Sequence, residues 1–283
     1  MIPQKIASPN NPTIKQWALL KQPKHRKAQQ KGLIEGINAL LEALKAGIEI
    51  EAILYNPDRF GGLDIVLDHL PDSQNPQLFE TTDAALDRLA DTASAPPIVA
   101  IFNFPQASLV AEESALFPSP QTPKSLLLVL DGLQDPGNVG TLIRSAVAFG
   151  CEGVVLGFPA VDVYSPKLIR SSTGFVFRLP IFMVPAEVQT ADALKMLKTT
   201  SGWDVWLATG HRLAENVAYS TIKSITAPVA LVLGSEGEGI RLADEALAGY
   251  NLVHIPMEAS VESLNVGLSG GILLSHFYGL QST

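Results

Sequence analysis

The chain has 283 residues, enough for two domains that each bury a hydrophobic core. Hydrophobic residues make up 47% of it and charged residues 17%, a composition that excludes an intrinsically disordered protein. Its net charge of −8 at pH 7 argues at first against a nucleic-acid partner. The single cysteine, Cys151, excludes an internal disulfide, and no signal peptide or membrane span is apparent, so we expect a cytoplasmic protein with no membrane partner.

The distribution of charge changes the expectation for nucleic acid. The first 31 residues contain seven basic side chains and no acidic one, whereas the rest of the chain carries 13 basic and all 28 acidic residues. The seven are Lys5, Lys15, Lys21, Lys24, Arg26, Lys27 and Lys31. Exposed charges are screened beyond about 8–10 Å at physiological salt, so such a cluster can bind phosphates even on an acidic protein. Charge alone supports an RNA-binding surface and a solubilising terminal helix equally.

The first hundred residues alternate between helical and strand-like patterns. We predict helices over 32–47 and 81–91, and strands over 48–55 and 98–104. These elements indicate a small α/β domain at 1–105. The proline-rich stretch that follows indicates a linker at 106–122 with one helical turn.

The second half of the chain has a more regular pattern. We predict strands over 125–132, 154–157, 176–184, 203–209, 230–233 and 252–257. We predict helices over 141–150, 167–174, 191–202 and 264–280. This alternation indicates an α/β domain at 123–283 with a mostly parallel sheet that is covered on both faces.

The segment DPGNVGTLIRSAVAFG predicts a helix that begins near Asn138, a favoured capping residue, at the carboxyl end of a strand. At 100° per residue, Arg144 projects away from the buried stripe that includes Leu142 and Phe149. Arg144 is then either a ligand-binding residue or an ordinary solvated one, and this segment alone favours the solvated residue.

Two later segments combine glycines with polar residues. LVLGSEGEGI predicts a strand followed by a loop that contains Glu236, and its glycines match neither a dinucleotide fingerprint nor a P-loop. In IPMEASVESLNVGLSGG, Ser263 opens the last predicted helix and Asn265 lies at its start, while the glycines indicate close packing. Taken alone, Glu236 is either an ordinary loop carboxylate or a group that positions a substrate. Capping plus tight packing is enough to explain the last segment when it is taken alone.

In this order, the segments NVGTLIRSAVAFG, LVLGSEGEGI and IPMEASVESLNV resemble the SpoU (or TrmH) family of RNA ribose 2′-O-methyltransferases. The resemblance covers about residues 125–280, and SPKLIRSSTGFVFRLPI looks like the family's intervening segment. The N-terminal stretch is more loosely similar to the family's accessory substrate-binding domain, whose α/β fold is like that of certain RNA-binding ribosomal proteins. Ser235 stands where the family usually has asparagine, and Gly267, Gly270 and Gly271 replace the usual serine or alanine.

The resemblance implies that the C-terminal segment forms a deep trefoil knot and that the protein is a homodimer with residues from both chains in each active site. It implies S-adenosyl-L-methionine as the methyl donor, bound by Thr209, Gly210, Gly234, Ile255, Met257, Leu264 and Asn265. It implies catalytic roles for Asn138, Arg144, Glu236, Ser263 and Asn265. RNA would be bound by Lys15, Lys24, Arg26, Lys27 and Arg170.

A ribose 2′-hydroxyl must lose its proton as it attacks the activated methyl group. Because a guanidinium essentially never loses its own proton in proteins, we expect Arg144 to stabilise developing charge and not to act as the base. Asn138 and Glu236 would then orient Arg144 or the ribose, with Ser263 and Asn265 completing the pocket.

Three alternatives stay open: methylation of a base by the same fold, a non-catalytic RNA-binding or ribosome-assembly protein, and a small-molecule enzyme with a glycine-rich phosphate loop. The five histidines are scattered and one cysteine cannot assist them, so we predict no metal site. We expect ribosomal RNA and not transfer RNA as substrate, because the N-terminal stretch resembles the accessory domains of the ribosomal members.

Overall fold

The computed structural model describes residues 2–105, 117–210 and 216–281. The chain divides into two compact units, the first formed by residues 1–106 and 162–178 and the second by 107–161 and 179–283. The segment 162–178 therefore packs with the first unit, although its position in the sequence led us to expect it in the second. The predicted linker at 106–122 lies largely outside the described residues, so the structure does not test its predicted helical turn.

The first unit is built on a five-stranded mixed sheet in the order β1-β4-β3-β5-β2, in which β5 runs antiparallel to both of its neighbours. Its strands are β1 (Gln4–Ile6), β2 (Lys31–Glu35), β3 (Ile50–Tyr55), β4 (Gln77–Thr81) and β5 (Ile98–Asn103). Its first five helices are α1 (Pro12–Ala18), α2 (Pro23–Gln29), α3 (Ile37–Lys45), α4 (Leu63–Asp68) and α5 (Asp83–Leu89). The predicted elements over 48–55, 81–91 and 98–104 are thus confirmed, apart from a residue or two at their ends.

The helix predicted over 32–47 is wrong in its first part. Residues up to Glu35 form the buried strand β2, which pairs with β5, and the helix begins only at Ile37. Gly36, with φ of 89°, separates the two elements in a conformation that favours glycine. A short apolar run satisfies the helical and the strand period equally, so only pairing with β5 distinguishes them.

The second unit is built on seven strands, all parallel, in the order β10-β12-β9-β11-β6-β7-β8. The strands are β6 (Leu126–Asp131), β7 (Gly153–Leu156), β8 (Ile181–Met183), β9 (Asp204–Ala208), β10 (Val217–Ala218), β11 (Val229–Gly234) and β12 (Asn251–His254). The remaining helices are α6 (Pro136–Ala148), α7 (Pro166–Ser171, in the first unit), α8 (Thr190–Thr199), α9 (Asp244–Leu247) and α10 (Val266–Gln281). The strand predicted over 176–184 is limited to β8, because Phe175–Phe177 forms a 3₁₀ turn.

Helices cover both faces of this sheet, as predicted. Successive strand residues point to opposite faces, and Val232 packs with Leu194 and Leu197 of α8 in one core. The next residue, Leu233, points to the other face, where it lies against Gly270 of α10. In the described part of the chain, no helix is long and apolar enough to cross a bilayer.

The contact of α10 with the sheet depends on the absence of a side chain at Gly270. A Cβ atom there would lie 2.2 Å from Leu142 Cδ2 and 2.6 Å from Leu233 Cδ1. We therefore expect Gly270→Ala to lower the free energy of unfolding by about 1–3 kcal/mol, as overpacked core substitutions do. Gly279→Ala is the matched control, because a Cβ there meets nothing within 4 Å and alanine favours the helix by about 0.5–1 kcal/mol. Urea unfolding of both variants measures the difference, and equal stability would contradict the packing described.

Candidate active site at the carboxyl ends of the parallel strands

The strand order reverses beside β6. The chain leaves β6 for β7 and β8 on one side and later returns to β9 and β11 on the other, with β11 next to β6. Open parallel sheets bind ligands at such a reversal, outside the carboxyl ends of the strands. The last residue of β11, Gly234, is the register partner of the last residue of β6, Asp131, so the loops after both strands start side by side.

A cavity of about 420 Å³ lies at this edge, within the usual size range of small-molecule sites. It is formed by the loops that follow β9, β11 and β12. Six of the seven residues predicted to bind the cofactor line it, namely Thr209, Gly210, Gly234, Ile255, Met257 and Leu264. The seventh, Asn265, does not line it, although both of its chain neighbours do. Ser263 and Glu236, predicted as catalytic, also lie in the cavity wall.

The loop after β11 is closed tightly on itself. Ser235 N donates to Gly239 O at 3.1 Å, and Gly239 N donates to Ser235 O at 2.9 Å. A Cβ at position 234 would lie 2.1 Å from the carbonyl carbon of Gly239, so only glycine fits where the loop returns. The loop thereby carries Glu236 on a narrow turn at the rim of the cavity.

The loop after β9 is held by a residue that the sequence did not point to. Asn216 Oδ1 accepts a hydrogen bond from Thr209 Oγ1 at 2.7 Å, and its Nδ2 donates to Gly210 O at 2.5 Å. Asn216 belongs to none of the three recognised segments and carries no sequence signal. Its contribution follows only from its tertiary contacts with Thr209 and Gly210.

Three residues from the three sequence segments form one hydrogen-bonded network. Glu236 Oε1 accepts from Asn138 Nδ2 at 3.3 Å, from Asn265 Nδ2 at 3.0 Å and from Val266 N at 3.3 Å. Asn265 Nδ2 also donates to Asn138 Oδ1 at 2.8 Å. The structure thus brings together Asn138, Glu236 and Asn265, which are up to 127 positions apart in the chain.

The helix caps differ from those predicted. Asp135, not Asn138, caps α6 by accepting from Asn138 N at 2.9 Å, and the helix begins at Pro136. Asn265, not Ser263, caps α10 by accepting from Leu268 N at 3.2 Å. Because Asp135 caps α6, the side-chain amide of Asn138 is available to Glu236. Asn265 caps α10 with its side-chain oxygen and joins the network with its side-chain nitrogen.

A second cleft, of about 530 Å³, adjoins this network at Asn138 and Glu236. The residues Asp135 and Asn138 of the β6–α6 segment, Glu236 and Glu238 of the β11 loop, and Arg241 contribute to its wall. Glu236 lines both this cleft and the 420 Å³ cavity described above. A carboxylate shared by two neighbouring spaces can contact ligands bound in each of them.

Arg144 lies apart from the network in its own chain. It is exposed on α6 and borders neither the cavity nor the second cleft. It makes no hydrogen bond or ion pair with any other residue that the structure describes. The sequence predicted its outward direction correctly, and its role depends on what approaches α6 from outside.

The residues predicted to bind RNA fall into two groups. Lys15, Lys24 and Lys27 are exposed on α1 and α2, where phosphates can reach them. Arg26 is only 2% exposed, and its guanidinium donates to Leu20 O, Lys21 O and Asp162 Oδ2, all within the first unit. This burial argues against an RNA contact for Arg26, because its guanidinium is directed at internal acceptors and is not accessible to a phosphate in solvent.

Arg170 takes part in an ion pair of the first unit, Arg170 Nη1 to Glu35 Oε2 at 3.2 Å, and its side chain is 36% exposed. Two lysines of the basic stretch also pair with carboxylates, Lys5 with Glu80 and Lys31 with Glu51. These pairs leave less free positive charge on the first unit than the sequence alone suggests.

Two other chemistries find no support in the described residues. No group of three or more histidine, cysteine or acidic side chains could hold a metal ion there. Burial raises the pKa of the Cys151 thiol to about 12, so this thiol is protonated at neutral pH and does not act as a nucleophile.

The parallel sheet, the cavity at its reversal point and the Asn–Glu–Asn network are together those of an α/β RNA methyltransferase. The SpoU rRNA Methylase family model matches residues 125–275, more than half of the chain. The chain belongs to this family. A second model, the MRM3-like substrate binding domain, matches residues 11–100.

Individual relatives match along the whole chain. The 23S rRNA (guanosine(2553)-2′-O)-methyltransferase RlmP of Bacillus subtilis is 30% identical over 278 residues, which cover 98% of this chain and 100% of the relative. The crystal structure of an RNA 2′-O ribose methyltransferase is 32% identical with a TM-score of 0.82, over 99% of this chain and 100% of that one. An AdoMet-bound rRNA methyltransferase from Sinorhizobium meliloti is 27% identical with a TM-score of 0.79, over 97% of both chains.

Proposed function

We propose that this protein transfers a methyl group from S-adenosyl-L-methionine to a ribose 2′-hydroxyl of ribosomal RNA. The observation that carries the proposal is the hydrogen-bonded network of Asn138, Glu236 and Asn265, in which Glu236 lines both a cofactor-sized cavity and a second cleft. The relatives named above are RNA or rRNA methyltransferases, two of them 2′-O-specific by name. These names favour ribose over base as the acceptor and catalysis over RNA binding alone.

The lining of the cavity fits the proposed cofactor. S-adenosyl-L-methionine supplies a methyl group on a positively charged sulfonium. The four acidic side chains in the cavity wall are Glu236, Glu238, Asp244 and Glu262, and among its described lining residues there is no lysine or arginine. Such a wall favours a cationic ligand, while Leu233, Ile255 and Leu264 offer apolar contact.

The second cleft is the proposed site of the target ribose, because it meets the cavity at Glu236. Glu236 Oε1 accepts three hydrogen bonds that fix the carboxylate, and we assign Glu236 an orienting role. Asn138 and Asn265 fix its direction, and Ser263 lines the cavity beside them. Orientation of reacting groups in this way contributes to catalysis before any proton moves.

A homodimer explains why Arg144 lies outside its own chain's cleft. The helices α6 and α10 border a third, shallow cleft of about 610 Å³ on the face where α10 is rich in small residues. Leu268 in this face is 54% exposed, and Gly271 and Ser275 follow it at helical spacing. A second copy that packs here covers the apolar surface and approaches the helix that carries Arg144.

The first unit is proposed to bind the RNA and to choose the site. Its match to a substrate binding domain supports this role, and Lys15, Lys24 and Lys27 are its exposed positive charges from the predicted set. The knot in the second unit and the cytoplasmic location stay predictions, and both are consistent with the family and with an rRNA substrate.

The reaction can be tested with total RNA that lacks the modification and with labelled S-adenosyl-L-methionine. We expect label in a 2′-O-methylated nucleoside of ribosomal RNA, identified by mass spectrometry after digestion. Arg144→Ala should lower turnover by about 100- to 1,000-fold, the usual cost of losing one group that stabilises developing charge. Cofactor affinity, measured by calorimetry, should hardly change, because Arg144 does not line the cavity. Label in a base, or full turnover by the variant, contradicts the assignment.

A site shared between two chains predicts complementation. Arg144→Ala and Glu236→Gln should each be nearly inactive as pure proteins. When the two are co-expressed, half of the dimers contain one copy of each, and one of their two sites has both residues intact. We therefore expect about a quarter of the wild-type activity. No recovery, in samples shown by mass spectrometry to contain mixed dimers, means that both residues act within one chain.

The three exposed lysines should determine the salt dependence of RNA binding. Replacing Lys15, Lys24 and Lys27 by glutamine should weaken binding and lower the slope of log K against log salt by about 2–3, one phosphate contact per lysine. The matched control replaces Lys5, Lys31 and Lys45 by glutamine and so removes the same amount of charge. These three lysines already pair with Glu80, Glu51 and Glu42. Filter binding at several salt concentrations compares them, and equal slopes for the two triple variants rule out this surface.

A further inference from the structure

Asp131 is a buried carboxylate that the proposed mechanism does not use. It is 3% exposed at the end of β6. Its Oδ2 accepts from Arg241 N at 2.8 Å and from Arg241 Nε at 3.3 Å, and its Oδ1 accepts from Arg241 Nη2 at 2.5 Å and from Thr190 Oγ1 at 2.8 Å. Burial of a charge is costly unless partners of this kind satisfy it.

Besides the Asp131 carboxylate, the Arg241 side chain contacts three other segments, at Phe158, Thr190 and Gly132. Its Nη2 group donates to Phe158 O, in the segment after β7, and to Thr190 Oγ1 at 3.4 Å. Gly132, with φ of 69°, turns the chain directly after Asp131, and a Cβ at that glycine would lie 3.4 Å from the Arg241 guanidinium carbon. The guanidinium therefore packs against the backbone that leads from β6 to the helix with Asn138.

The contact between Arg241 and Asp131 fixes the loop that carries Glu236, because Arg241 lies at the end of that loop. The β11 loop turns back at Gly239, and Arg241 is the second residue after that turn. Asp131 receives both the backbone N–H and the side chain of Arg241, so the outgoing arm of the loop is fixed to the end of β6. The ingoing arm is fixed by the register pair Gly234–Asp131. Both arms of the loop that carries Glu236 therefore end at one residue.

We propose that Asp131 and Arg241 are positioning residues that hold Glu236 within hydrogen-bonding distance of Asn138. This inference rests on the proposed function of Glu236. Glu236 reaches Asn138 at 3.3 Å, near the limit of a hydrogen bond, so a small displacement of the loop breaks the contact. The segment with Asn138 and the loop with Glu236 share Asp131 as their common fixed point.

A direct contact of Arg241 with RNA phosphate is the rival role, because its side chain is 31% exposed and lines the second cleft. The geometry favours positioning. At least two of the three guanidinium nitrogens have protein acceptors, and the adjacent carboxylate neutralises the charge that would attract a phosphate. The two roles predict different kinetics, since a phosphate ligand acts on RNA affinity and a positioning residue acts on turnover.

The test is a double-mutant cycle of Arg241→Ala with Glu236→Gln, measured as kcat at saturating S-adenosyl-L-methionine and RNA. We expect Arg241→Ala to lower kcat by about 100-fold, as a misplaced catalytic group does, with little change in KM for RNA. In the Glu236→Gln background, Arg241→Ala should cause no further loss of kcat, because the carboxylate that Arg241 positions has already been removed. Arg241→Lys keeps the charge opposite Asp131 and should lower kcat less than Arg241→Ala does. It replaces the alanine variant in the cycle if that variant does not fold.

Lys198→Ala is the matched control in the same unit. It removes a hydrogen bond to Gly249 O and a contact with the ring of Tyr250, away from both cavities, and should leave kcat unchanged in either background. If Arg241→Ala and Glu236→Gln lower kcat independently, so that their losses multiply in the double variant, the inference is overturned. A raised KM for RNA with normal kcat in Arg241→Ala also overturns it. If Glu236→Gln alone keeps full kcat, the proposed function of Glu236 fails first, and the cycle shows which of the two ideas is wrong.

Discussion

The parallel pairing of β6 with β11 is the contact on which the site depends. Its register sets Asp131 opposite Gly234 at the point where the strand order reverses. From that pair the chain continues on one side to the helix with Asn138 and on the other to the loop with Glu236. A shift of one residue would exchange the faces of the strand and separate the two. The last helix then adds Asn265 to the same network.

The polar groups around this pair satisfy one another with few spare partners. The carboxylates of Asp131 and Glu236 each accept several hydrogen bonds, and the amide of Asn265 serves both the network and its own helix. Networks of this kind are rigid when all members are satisfied, and removal of one member affects the others. A preorganised site is what methyl transfer needs, since two bound molecules must be aligned closely.

The two units differ in how they use charge. In the first unit many basic residues are consumed by internal pairs, among them Arg26, Lys5 and Lys31. The positive charges left for a partner are fewer than the sequence suggests, and three of them, Lys15, Lys24 and Lys27, lie on two short helices. In the second unit the cavity wall is acidic. The exposed lysines of the two helices and the acidic cavity wall therefore belong to different units of the chain.

The sequence by itself determined the alternation of strands and helices in the second half, the three polar segments and their family, because periodicity and motif spacing are local properties. For the same reason it pointed to Asn138 and Glu236, which one network joins, and to six of the residues that line the 420 Å³ cavity. It did not determine that 31–35 is a strand, that Arg26 is buried, or that Asn216, Asp131 and Arg241 support the site. Those facts depend on which segments pair across the sheet and which charges meet, and contacts between distant residues are decided only by the tertiary structure.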